Sequence, residues 1–100
     1  MSAYAALAEP HRRQILDLLR GGERPAGELG ENLGLSQPGV SKHLKVLRDV
    51  GLVVVRAEGK QRMYALRPEP LAEVDQWLKP YRAFWSKRLD TLERYLEENP

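Results

Sequence analysis

The chain contains no cysteine. That absence excludes disulfides, thiolate metal sites and redox sensing through a thiol. It has only two histidines, His11 and His43, and they are distant in sequence, so no local imidazole metal motif is present. No apolar run approaches the roughly 18 residues needed to cross a bilayer. The first residues, Met1, Ser2, Ala3 and Tyr4, lack the basic-then-apolar layout of a secretory leader. No membrane association and a cytoplasmic location are therefore expected. There is no internal repeat, low-complexity tract or linker, no glycine-rich phosphate loop after a strand, and no serine in a nucleophile elbow. With no cysteine and no paired histidines either, an enzyme has the least support.

One hundred residues suffice for one cored unit and not for two, so a single domain, 1–100, is expected. Hydrophobic residues make up 42% and charged residues 30%, which places the chain among globular proteins. The net charge of +2 is unevenly spread. Residues 36–67 hold seven basic side chains against two acidic ones, a local +5, which leaves −3 for the rest. A polyanion contacting only that middle is the simplest partner for such an imbalance, because neutralised phosphates release condensed counterions. A solvated basic face is the alternative reading.

Periodicity and punctuation predict a mainly α fold with a small two-stranded β-hairpin. Helices are expected over 2–8, 10–20, 25–33 and 37–50. Pro10 suits the first turn of the second helix, and Gly21 and Gly22 end it. Pro25 opens the third helix, and Gly34 follows it where a left-handed cap belongs. Ser36 can cap the fourth, whose Val40, Leu44, Leu47 and Val50 form one inward stripe. Strands are expected over 52–57 and 62–66, joined by a glycine-bearing turn. A last helix over 69–98 carries Leu71, Val74, Leu78, Tyr81, Trp85, Leu89, Leu92 and Leu96 at steps of three or four, kinked or broken at Pro80.

A helix, a glycine turn, a second helix with a polar and basic outer face, and then a hairpin is the order of a winged helix-turn-helix. An α-helix fits the major groove of double-stranded DNA, and its first outward residues reach base edges. Here these are Gln37, Pro38, Ser41, Lys42 and Lys45, with His43 on the same helix. Gln37 can bond adenine bidentately, Lys42 can donate to guanine, and Lys45 and Arg48 suit phosphates. Gly59, Lys60, Gln61 and Arg62 form the hairpin tip, placed as a wing. A winged-helix module for protein-protein contact is the alternative, but it would not need Lys42, Lys45, Lys60 and Arg62 on one face.

Four segments carry a family resemblance: residues 6–16 (ALAEPHRRQIL), 34–48 (GLSQPGVSKHLKVLR), 51–53 (GLV) and 58–64 (EGKQRMY). Through them the chain resembles the ArsR, or arsenical-repressor, family of bacterial winged-helix regulators over about residues 5–67. Its tail, with Trp77, Leu78, Tyr81, Phe84, Trp85, Tyr95 and Leu96, is similar to that of the metal-independent members. The resemblance implies a homodimeric repressor binding an inverted-repeat operator. It implies that Gln37, Ser41 and Lys42 enter the major groove and that Gly59, Lys60 and Arg62 act from the wing. Arg12 would support the DNA face or the helix packing. The first and last helices would form the dimer interface, through Tyr4, Leu7, Leu78, Tyr81, Trp85, Leu89, Leu92 and Leu96.

The chain also departs from the metal-sensing members. Residues 24–28 (RPAGE) stand where those members often carry a cysteine pair, and the last helix has no histidine. No metal and no cofactor are expected. The aromatic cluster of Trp77, Tyr81, Phe84 and Trp85 is read as core or dimer packing rather than a ligand pocket. The inducer and the operator sequence are not legible.

Overall fold

Prolines, glycines and capping side chains divide the chain into eight elements in the computed structural model, which describes residues 1–99. The order is α1 (Ala3–Leu7), α2 (Pro10–Leu19), β1 (Arg24–Pro25), α3 (Ala26–Leu33), α4 (Gln37–Asp49), β2 (Val53–Glu58), β3 (Gln61–Leu66) and α5 (Leu71–Glu98). Pro100, part of the expected domain 1–100, lies outside the described residues.

Three of the five helices, α1, α2 and α4, start on a side-chain cap. Ser2 Oγ accepts from the Ala5 N–H, and the Glu9 carboxylate accepts from the Arg12 N–H at 3.2 Å just ahead of Pro10. At the turn between α3 and α4, Gly34 adopts φ 66, a left-handed conformation that a Cβ disfavours. Ser36 Oγ then accepts from the Gly39 N–H at 3.3 Å and opens α4. The α1 helix is too short to satisfy its own last carbonyls, and α2 supplies donors for them. Arg12 Nε donates to Ala6 O at 2.7 Å and Arg12 Nη2 to Ala5 O at 3.3 Å, while Arg13 Nη1 donates to Leu7 O at 2.7 Å.

The core draws Ile15, Leu16 and Leu19 from α2, Leu29 from α3, and Val40, Leu44 and Leu47 from α4. Leu52, Val53 and Tyr64 close it from the sheet side, and Ala3 and Ala6 from α1. Among the described residues no charged or polar side chain is buried, so the core itself is held by apolar burial, with the Arg12 and Arg13 bonds at its edge.

Three expectations are corrected. The sheet has three antiparallel strands in the order β1-β3-β2, not two. Pro25 does not begin a helix; it pairs opposite Met63, Arg24 pairs opposite Tyr64, and α3 starts one residue later. A two-residue strand containing a proline has no periodicity to betray it. The hairpin loop is also shorter than expected. Glu58 pairs with Gln61, which leaves Gly59 and Lys60 as the two-residue turn. Gly59 has φ 60 and no other residue type has a positive φ, the sign pattern of a type II′ turn.

Of the two alternatives at Pro80 the structure has the unbroken one: α5 is a single helix of 28 residues with the proline inside it. Arg82 bridges the proline's turn, donating to Asp75 O at 3.1 Å and pairing with the Asp75 carboxylate at 2.8 Å. The start of α5 is anchored: Leu71 and Val74 pack on the core, and Tyr4 Oη donates to Glu73 O at 3.1 Å. The Tyr4 ring meets Trp77 edge-on, 6.2 Å between centroids. Beyond Leu78 the helix leaves the body, and no residue of α5 is buried. The Cα radius of gyration is 18.1 Å, against about 13 Å for a compact chain of this length.

Candidate nucleic-acid interface

The buried stripe of α4 fixes which of its residues look outward. At about 100° per residue, Gln37, Ser41, Lys45 and Arg48 fall within roughly 80° of one another. All four are exposed. They line one side of a groove whose other side is the hairpin, through Lys60, Gln61 and Arg62, with Tyr64 behind them. The groove encloses about 890 Å³ and is open to solvent. Two segments separated by a strand and a turn thus present polar and basic groups to one concave surface.

Of the residues expected on this surface, Pro38 and Lys42 are exposed on α4 but lie outside the groove lining, and Gly59 is exposed at the hairpin tip. Lys42 stands about 140° around the helix from Gln37, on its outermost edge. The structure does not bring His43 to the groove. Its side chain is only 17% exposed and faces back toward α2. There His43 Nδ1 lies 3.5 Å from Arg12 Nη1 and His43 Nε2 lies 3.8 Å from Glu9 Oε2. Burial pushes the His43 imidazole below its ordinary pKa; the Glu9 carboxylate opposes this, and the charges of Arg12, His11 and Lys42 add to it. Arg12 therefore serves helix packing, tying the end of α1 to α4.

The groove has a third wall that sequence reasoning missed. Pro25, Ala26, Gly27, Glu28 and Glu31 line it from the start of α3. Glu28 pairs with Arg24, whereas Glu31 has no ion-pair partner among the described residues. No signal in the sequence marks this wall, because it depends on the three-strand pairing that places α3 beside the hairpin.

Charge on the wing side is sorted by pairing. Arg56 bonds Glu23 and Glu58, and the Glu23 partnership holds the Arg56 guanidinium above its usual value and the Glu23 carboxyl below. Lys45, Arg48, Lys60 and Arg62 make no ion pair among the described residues. The cations that line the groove are therefore free to meet an anionic partner.

A family model described as a helix-turn-helix domain matches residues 7–56, which covers α2 through most of β2. The transcriptional repressor SdpR of Bacillus subtilis is 32% identical over 77 residues, spanning 77% of this chain and 86% of the relative. A crystal structure of an ArsR family transcriptional regulator superimposes with a TM-score of 0.72 at 31% identity, covering 83% of this chain and 86% of that one. The homodimeric winged helix-turn-helix DNA-binding domain Mb0332 from Mycobacterium bovis gives a TM-score of 0.64 at 33% identity, over 79% and 73%.

Proposed function

This chain belongs to the ArsR family of winged helix-turn-helix transcriptional repressors, and from that membership we propose that it is a homodimeric, operator-binding repressor in which α4 reads the major groove and the β2-β3 hairpin grips the adjoining backbone. Relatives of this family are regulators, not enzymes. One observation carries the assignment of roles: Gln37, Ser41, Lys45 and Arg48 of α4 converge with Lys60, Gln61 and Arg62 on a single groove. Gln37 and Ser41, at the front of the helix, are the base-reading pair, and Lys42, on the outermost edge of the helix, extends the reading surface beyond the groove. Lys45, Arg48, Lys60 and Arg62 neutralise phosphates and fix register. The domain is one unit that includes α1 and α5, and those two helices form the interface between copies through Tyr4, Leu7, Leu78, Tyr81, Trp85, Leu89, Leu92 and Leu96. No helix among the described residues is long and apolar enough to cross a membrane. A repressor of this kind meets its operator in the cytoplasm.

The test is fluorescence anisotropy with DNA from upstream of the chain's own gene, at two salt concentrations. Binding that weakens as salt rises, and that weakens again in Arg62→Ala, supports the proposal. Absence of binding, or binding indifferent to both changes, overturns it.

A further inference from the structure

His11 and His43 stand 32 positions apart in sequence, yet folding sets their rings 5.6 Å apart, centroid to centroid. Glu9 completes the group. Its Oε1 lies 3.3 Å from His11 Nδ1 and its Oε2 lies 3.8 Å from His43 Nε2. One ligand atom from each of the three side chains falls within 4.8 Å of the other two. We infer that Glu9, His11 and His43 form a binding site for a borderline divalent transition ion, with Zn2+ the best match to two imidazoles and one carboxylate.

The geometry is close to what such an ion requires. Metal-ligand bonds of about 2.0 Å in a tetrahedron place neighbouring ligand atoms about 3.3 Å apart. The Glu9-His11 separation of 3.3 Å matches that value and the Glu9-His43 separation of 3.8 Å is somewhat longer, each to a different carboxylate oxygen, and rotation of these side chains would draw one oxygen and the two ring nitrogens onto one ion. His11 and Glu9 are 41% and 31% exposed at the side chain, which leaves an approach for the ion and room for water as the fourth ligand.

Arg12 is the opposing charge. With the ion on His43 Nε2, the ring's proton sits on Nδ1 and faces Arg12 Nη1, 3.5 Å away. The ion therefore competes with the Arg12-His43 contact, while Arg12 keeps its bonds to the α1 carbonyls. Occupancy would tie the first turn of α2 to α4 by a metal instead of a guanidinium. This site is distinct from any in the cysteine-bearing stretch or last helix used by metal-sensing members, and it stands whether or not α4 reads DNA.

The experiment uses the full chain without DNA. ZnCl2 is titrated against a chromophoric chelator, Co2+ uptake is followed by visible absorption, and melting is recorded with and without Zn2+. One equivalent per chain, a Co2+ spectrum and a Zn2+-dependent rise in Tm are expected, since a ligand bound only by the native state stabilises it. His11→Gln, at a half-exposed position, and Glu9→Gln, which keeps an oxygen for the helix cap, should each weaken uptake by more than about tenfold. Each should leave the metal-free melting close to wild type. No stoichiometric uptake by the wild type, or unchanged uptake in both variants, overturns the inference.

Discussion

Arg12 donates to two carbonyls of α1 and leans on His43 of α4, so one guanidinium fastens the first helix to the reading helix. Removing it leaves helix-end carbonyls without donors. Arg12→Ala should cost about 1–3 kcal/mol of unfolding free energy, read from urea denaturation. The sequence left Arg12 open between the DNA face and helix packing. Its partners are backbone oxygens placed by the turn between α1 and α2, and no side-chain pattern marks them. The placement of His43 is hidden for a related reason: a polar residue on a basic helix reads as outward, yet this one faces the partly buried seam with α2. Its lowered pKa has a consequence with a definite sign. The unfolded imidazole takes up a proton near pH 6.5 and the folded one only at lower pH, so the unfolded state binds more protons in between. The stability that His43 contributes is complete above about pH 6.5 and is lost as pH falls toward the folded value. His43→Gln should flatten that part of the stability-pH curve, measured by urea midpoints in steps of pH.

At the scale of elements, α4 was the most legible, because its stripe, its cap at Ser36 and the Gly34 turn all agree. Gly34 holds φ 66, so Gly34→Ala should destabilise by about 1–2 kcal/mol in the same assay. The hairpin was legible as a pair of strands but not in its register, which the two-residue Gly59-Lys60 turn sets. β1 was not legible at all, and with it went the third wall of the groove. The elements also divide the labour of binding. Lys60→Ala should weaken every DNA sequence alike and lower the salt slope, since a phosphate contact carries no base information. Gln37→Ala should cost about 1–3 kcal/mol on the preferred site and relax sequence choice, measured by anisotropy on a panel of single-base variants.

For the whole molecule, the stripe at the chain's end was readable from spacing alone, whereas its projection from the body was not. Periodicity shows that a helix has an apolar face but not which chain covers it. In the structure Tyr81, Phe84, Trp85, Leu89, Leu92, Tyr95 and Leu96 are all exposed, along a helix about 42 Å long. An apolar surface of this extent on one chain calls for a partner. Trp85→Glu should shift sedimentation toward the monomer and weaken operator binding with it; a dimer that persists would place the interface elsewhere.

That outlying helix also bears on dosage. Within one chain α5 packs on the core only near its start, through Leu71 and Val74, so under the proposed pairing much of the free energy that keeps the rest ordered comes from a second copy. The amount of competent reader then rises with the square of chain concentration when copies are scarce. Dilution by cell growth, or a modest drop in synthesis, would release the operator more sharply than in proportion, with no small-molecule signal involved.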